Sequence, residues 1–209
     1  RAKTLILATA AVAIFTAWTL SIPTVDPTPP QMATTAPQHP AVVLLEMPQG
    51  GRGSGVIVAP DWLLTCAHCA SAHTAGGLPV ASVHIAPGGS VDMALMNVPG
   101  LRAASYVPIA AAGARLHDRV SAYGYHLGKQ FQRTDGYQGA EADEMSAQII
   151  HGCSGGAVVN ADGELLGVIA WVRYTSTWSG RDGVPMPHMA GYTPITDALR
   201  AWISETLTP

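Results

Sequence analysis

The 209-residue sequence predicts an all-β fold, an antiparallel sandwich or barrel that is closed by one C-terminal helix. Short apolar runs alternate with turn signals, and the 22 glycines and 16 prolines suit turns better than helices. Helical and strand patterns do not alternate along the chain, so a parallel sheet is not expected. Because 48% of the residues are hydrophobic, a domain of this size can bury a full core.

The N-terminus differs in composition from the rest of the chain. Residues 4–20 carry no charge and follow Arg1 and Lys3, which predicts a signal anchor or a signal peptide over residues 1–20. No convincing cleavage site follows Leu20, which favours an anchor. Residues 21–40 hold six prolines and predict a semi-extended tether. A domain over residues 41–209 would then be exported and held at the membrane, in a periplasmic or extracellular location.

From residue 41 onward the pattern is that of short strands separated by turns. We predict a turn at residues 50–55 and strands over residues 41–47, 56–59, 62–65, 81–86, 93–98, 119–125, 146–150, 157–160, 165–172 and 191–194.

The C-terminal helix is predicted from the apolar spacing of residues 195–207. Thr193 is the predicted N-cap, because Pro194 would then occupy the first helical position, where a missing N–H costs nothing. Thr196 is the alternative cap. We expect this helix to close the domain.

The charge pattern limits the possible partners. The formal net charge is −3, and the 11 lysines and arginines form no basic run. A nucleic acid partner is therefore not expected, because phosphate binding needs a basic patch.

Three short blocks carry residue types that nucleophilic catalysis uses. Ser154 lies in the glycine-rich run 151–156, where the backbone can turn tightly and direct N–H groups at a reacting carbonyl. His68 follows an apolar strand, and Asp92 interrupts an apolar stretch. Singly, each could be structural, the histidine in a core or on the surface and the aspartate as a turn cap. Together they supply a nucleophile, a base and a carboxylate that orients the base.

Residues 53–69, 92–95 and 152–156 resemble the signature blocks of chymotrypsin-like (trypsin-fold) serine peptidases of the compact bacterial kind. The resemblance covers about residues 41–208. It implies two six-stranded antiparallel β-barrels with the active site in the cleft between them.

The resemblance also implies roles for individual residues in cleaving a polypeptide. His68 would be the general base, Asp92 its orienting partner, and Ser154 the nucleophile that forms an acyl-enzyme. The backbone N–H groups of Gly152 and Ser154 would form the oxyanion hole. No cofactor and no metal are part of this interpretation.

Further positions match the segments that bind substrate in such peptidases. Ala170, Trp171 and Val172 match the strand that pairs with the substrate backbone, although Trp171 could equally fill the core. Gln148 stands at the base of the specificity pocket, and Val172 stands where deep-pocket members keep glycine. We therefore expect cleavage after small or medium aliphatic residues. His151 either lies at the rim of the cleft or is an ordinary surface histidine.

The three cysteines depart from the pattern of the family. Cys153 precedes the nucleophile where animal digestive members have aspartate, so activation through that ion pair is not expected. Cys69 lacks its usual disulfide partner, and Cys66 is best interpreted as a small buried residue. Two alternatives remain open: a catalytically silent relative that binds a partner, and a Cys/His module that binds zinc or performs redox chemistry.

Overall fold

The computed structural model describes residues 41–179 and 185–208. The predicted anchor over residues 4–20 and the predicted tether over 21–40 lie outside these residues. Within the described part, no helix is both long enough and apolar enough to cross a membrane.

The first half of the described chain folds into one antiparallel sheet. Its seven strands are β1 (Val42–Glu46), β2 (Arg52–Ala59), β3 (Trp62–Thr65), β4 (Thr74–Ala75), β5 (Leu78–Pro79), β6 (Ser82–Ile85) and β7 (Ala94–Asn97). Their order in the sheet is β5-β4-β1-β2-β3-β7-β6. Two short 3-10 helices, Pro48–Gly50 and Ala67–Cys69, lie in its connections.

The second half forms a separate six-stranded antiparallel sheet. Its strands are β8 (Arg119–His126), β9 (Gln130–Tyr137), β10 (Glu144–Met145), β11 (Ala157–Val159), β12 (Leu165–Ser179) and β13 (Pro185–Pro194). Their order is β10-β13-β12-β11-β8-β9. The predicted all-β fold with two antiparallel halves is confirmed, and the first half has seven strands where the resemblance implies six.

One hydrophobic cluster joins the two halves. It contains buried residues of the first sheet, such as Leu63 and Leu95, together with Val168 of the second. The helix α1 (Asp197–Leu207) adds its two buried residues, Leu199 and Ile203, to the same cluster. The helix thus covers the core, as the sequence predicts.

The N-cap of α1 is Thr196, whose side chain accepts a hydrogen bond from the N–H of Leu199 at 3.3 Å. The predicted cap Thr193 is wrong, because Thr193 belongs to β13 and pairs with Val168 of β12. The pairing of β13 with β12 extends to Pro194, so the helix can begin only after that residue.

Three local predictions also need correction. Residues 146–150 form no strand, because they leave the short strand β10 and lead into the glycine-rich loop. The predicted turn at 50–55 ends early, since β2 begins at Arg52 and pairs with β1. The sequence pattern missed β9, because two of its buried positions carry the polar residues Gln132 and Thr134, so no apolar pattern marks the strand.

Candidate active site

His68 and Asp92 are joined by two hydrogen bonds. The ring atom Nδ1 of His68 lies 2.7 Å from Asp92 Oδ2, and the backbone N–H of His68 donates to Asp92 Oδ1 at 2.9 Å. His68 lies in the 3-10 helix after β3, and Asp92 lies just before β7, the strand that pairs with β3. The sheet therefore brings together two residues that are 24 positions apart.

The two side chains shift each other's pKa. The hydrogen bond to Asp92 raises the pKa of His68 above its ordinary value of 6.5. Burial opposes ionisation of Asp92, but hydrogen bonds from the ring and backbone of His68 outweigh it and lower the pKa of Asp92. A charged carboxylate is thus held against Nδ1, which leaves Nε2 as the atom able to accept a proton.

Two buried cysteines flank the imidazole. The Sγ of Cys66 lies 3.3 Å from Nε2 of His68, and Cys66 and Cys69 are both free thiols with almost no exposed surface. A hydrogen bond from Cys66 lowers the pKa of Cys69, whereas burial raises the pKa of Cys66. The predicted burial of Cys66 agrees with the structure, but its contact with the ring was not anticipated.

The loop that carries Ser154 is tightly constrained. Gly152 has φ +93° and Gly155 has φ +81°, a region that residues with a Cβ rarely adopt. A Cβ on Gly155 would lie 2.0 Å from Thr65 Oγ1, and one on Gly152 would lie 2.5 Å from the carbonyl oxygen of Tyr125. Only glycine fits at either position.

The backbone N–H groups of this loop divide into those that donate to carbonyl oxygens and those that do not. The N–H groups of Cys153, Gly155 and Gly156 donate to carbonyl oxygens. Within residues 41–179 and 185–208, the N–H groups of Gly152 and Ser154 donate no hydrogen bond. These two donors are the ones that the resemblance assigns to the oxyanion hole.

Ser154 is half-buried, and its hydroxyl makes no hydrogen bond with the part of the chain that the structure describes. Nε2 of His68 contacts Cys66 instead. Catalytic hydrogen bonds between a nucleophile and its base are often long in the absence of substrate. The structure thus joins His68 to Asp92 but shows no hydrogen bond from His68 to Ser154.

Ser54, a fully buried residue of β2, ties the first sheet to the Ser154 loop. Its backbone N–H donates to the carbonyl of Ser154 at 2.7 Å, and its hydroxyl donates to the carbonyl of Gly152 at 2.9 Å. The same hydroxyl accepts from the N–H of Tyr125 at 2.9 Å. Although Ser54 is part of a signature block, the sequence offered no sign of this role, because its partners are 71 and 98 positions away.

Beyond Val168, no strand among the residues that the structure describes pairs with β12 on the side of β11. The pairing of β12 with β11 ends at Val168, and the N–H of Gly155 then donates to the carbonyl of Ile169 at 2.7 Å. Ala170 follows directly, at a register shift in the pairing between β12 and β13. An extended peptide could therefore add to β12 beside Ser154.

A groove of about 460 Å³ borders this edge. Its lining includes Asp92, Ala170, Trp171, Tyr192 and Thr193. The indole of Trp171 lies over Gly191, since a Cβ on that glycine would fall 1.9 Å from the ring. Trp171 thus lines a groove and does not fill the core.

The other predicted contact residues have different environments. Val172 is half-buried and packs against a second hydrophobic cluster, which contains Ile169 and Tyr192. Its partner in the neighbouring strand β13 is Ala190. Gln148 is half-buried between two buried residues, and His151 is exposed. Neither Gln148 nor His151 lines the 460 Å³ groove.

Comparison with known proteins identifies the family of the chain. A family model described as the trypsin-like peptidase domain matches residues 53–168, more than half of the chain. The chain belongs to this family and is a serine peptidase, a hydrolase. A search of curated proteins found no match.

Solved structures with the same fold include the Rv3671c protease of M. tuberculosis. Its inactive form superposes with a TM-score of 0.60 at 21% identity, covering 79% of this chain and 88% of that one. An inactive serine-to-alanine mutant gives 0.59 at 18% identity, with 86% and 99% covered. The active form gives 0.58 at 21% identity, with 79% and 80% covered.

Proposed function

We propose that the protein is a serine endopeptidase in which Ser154 is the nucleophile, His68 the general base and Asp92 the residue that orients the base. The main support is the pair of hydrogen bonds from His68 to Asp92, at 2.7 and 2.9 Å. In the neutral ring, this pairing holds the proton on Nδ1, so that Nε2 is the atom that accepts the proton of Ser154.

In the proposed reaction, Ser154 Oγ attacks the carbonyl carbon of a peptide bond while its proton moves to Nε2 of His68. Asp92 stabilises the imidazolium that results. The oxyanion accepts hydrogen bonds from the N–H groups of Gly152 and Ser154, each worth about 10²–10³ in rate. His68 then protonates the leaving amine. In the second half of the reaction, water attacks the acyl-enzyme, His68 accepts a proton from that water and returns it to Ser154 Oγ, and the acid product leaves.

For this to occur, Nε2 of His68 must exchange its contact with Cys66 for one with Ser154. Because the His68 side chain is 48% exposed, the core does not enclose the ring on all sides and leaves it room to turn. A substrate strand added at Ala170 would bring the scissile carbonyl to the same place.

We further propose that the enzyme prefers small or medium aliphatic residues before the cleaved bond. Val172 and its partner Ala190 both carry side chains where a deep pocket would need space, and Gln148 provides no charge for a basic substrate residue. Selection by volume is worth about 1–3 kcal/mol per methylene, so the preference should be loose.

The charge-free segment 4–20 and the proline-rich segment 21–40 lead us to propose an exported enzyme tethered to a membrane. Protease accessibility of residues 41–209 on intact cells tests this location, and protection from added protease would contradict it.

The proposed chemistry is tested by labelling the full chain with a fluorophosphonate, which reacts with activated serines. We expect labelling of the wild type and none in Ser154→Ala or His68→Ala. Ser146→Ala, which changes an exposed serine, is the matched control and should label normally. Absence of labelling in the folded wild type would refute the active peptidase and favour a silent binding protein.

A further inference from the structure

Three potential metal ligands converge at the end of β3. One ligand atom each from Cys66, His68 and Cys69 lies within 4.8 Å of the other two. Cys66 Sγ and His68 Nε2 are 3.3 Å apart. All three residues belong to one tight turn, the 3-10 helix Ala67–Cys69 and the residue before it, so their proximity needs no distant contact.

The distances suit a tetrahedral ion. With Zn–S of about 2.3 Å and Zn–N of about 2.0 Å, ligand atoms in such a site lie about 3.5–3.8 Å apart. The observed separations, 4.8 Å at most, differ from these values by no more than about 1.3 Å, which rotation of the side chains can supply. Two thiols and one imidazole favour zinc and similar soft or borderline cations over Mg²⁺ or Ca²⁺, which prefer oxygen.

The surroundings of His68 resemble those of histidines that bind metals. Its Nδ1–H donates to Asp92, and a carboxylate in this position commonly orients the ring so that Nε2 can coordinate an ion. The sulfur atoms of Cys66 and Cys69 are buried, whereas His68 is exposed, so an ion can enter from the solvent side.

We propose that Cys66, His68 and Cys69 form a site for a zinc-like divalent cation, and that an ion bound there reversibly blocks the peptidase. The blocking depends on the proposed function, because the ion would take the Nε2 lone pair that must accept the proton of Ser154. Binding releases the two thiol protons to solvent, and water supplies the fourth ligand. With three protein ligands, the site should exchange its ion more readily than a closed structural site.

Metal binding is tested first, without reference to activity. The metal-free full chain, kept reduced, is titrated with Zn²⁺ in equilibrium dialysis and with Co²⁺ in an absorption experiment. We expect one Zn²⁺ per chain, and a tetrahedral Co²⁺ spectrum with a thiolate charge-transfer band. Cys66→Ala and Cys69→Ala should lose the band. Cys153→Ala, which removes the third buried cysteine, is the matched control and should retain it.

Circular dichroism shows which variants are folded, and Cys66→Ser replaces Cys66→Ala if the latter is not. A wild-type spectrum without thiolate bands would overturn the site. So would a folded Cys66 variant with unchanged Zn²⁺ binding.

Inhibition is tested by the rate of fluorophosphonate labelling with and without Zn²⁺. Saturating Zn²⁺ should slow labelling by about 10²-fold or more, the typical contribution of a general base, and a chelator should restore it. Labelling that Zn²⁺ leaves unchanged would refute the inhibition. If the chain binds Zn²⁺ but is not labelled by the fluorophosphonate under any condition, the metal site stands. The proposed peptidase activity and its inhibition are then both refuted.

Discussion

Replacing Ser54 by alanine tests how the Ser154 loop is held against the first sheet. The Ser54 hydroxyl is buried, donates to the carbonyl of Gly152 and accepts from the N–H of Tyr125. Alanine occupies less space than serine, so it creates no clash. The variant therefore isolates the loss of these two hydrogen bonds.

The expected loss of stability follows from the groups left without a partner. A buried donor or acceptor that loses its hydrogen bond costs about 1–3 kcal/mol. Because Gly152 is only half-buried, water can partly replace one of the two bonds. We expect a loss of about 2–4 kcal/mol, which lowers Tm by about 4–16 °C in a domain of this size.

A loss of activity should accompany the loss of stability. Gly152 carries one proposed oxyanion donor, and its carbonyl would no longer be anchored. Removing such a donor entirely costs about 10²–10³ in rate, so a misplaced donor should slow labelling by about 10- to 10²-fold.

The assays are thermal denaturation followed by circular dichroism, and the labelling rate well below Tm. Ser146→Ala is the matched control, because Ser146 also accepts a backbone N–H, that of Tyr137, but is exposed. Its Tm should change little, since water replaces the lost bond. If Ser54→Ala and Ser146→Ala have the same Tm and the same labelling rate, the proposed role of Ser54 is wrong.

Three further changes have defined outcomes. Gly53→Cys should form a disulfide with Cys69, because a Cβ at position 53 would lie 2.9 Å from Cys69 Sγ. Closing this loop should add about 3 kcal/mol of stability under oxidising conditions, measured as a rise in Tm that reductant reverses. Thr196→Ala removes the bond to the N–H of Leu199 and should cost about 1 kcal/mol in denaturant unfolding. Because the pKa of His68 is raised and only its neutral form accepts a proton, kcat/KM should increase with pH through a value above 6.5. The same shift favours folding below pH 6.5, and this stabilisation is lost as pH rises through the raised pKa.

Each of these predictions has an internal check. Thiol titration of oxidised Gly53→Cys should find two free thiols per chain, and four would contradict the pairing. Thr206→Ala changes a threonine inside the same helix, whose hydroxyl donates to the carbonyl of Trp202, and should be close to neutral. An acid limb of kcat/KM at or below pH 6.5 would show that Asp92 does not hold the proton on His68.

Much of the fold was predictable because its signals are local. Short apolar runs bounded by turn residues placed β3, β7 and β11 within a residue or two of their observed bounds. The polar strand β9 and the short strand β10 contain no such run, and both depend on a neighbouring strand for their extended form. Thr196 and not Thr193 caps the helix, because pairing with β12 holds Thr193 in the sheet.

The sequence by itself determined which residue types are available for catalysis. It also placed Ser154 between glycines, and a turn with positive φ explains why glycine is needed there. The tertiary structure decided how they meet. His68 joins Asp92 through the pairing of β3 with β7, and Ser54 reaches Gly152 across 98 positions. The tertiary structure also brought Cys66 into contact with Nε2 of His68, whereas the resemblance implies that Ser154 contacts this atom. Hydrogen bonds between distant positions produce no periodic pattern in a sequence, because they depend on how whole strands are placed relative to one another.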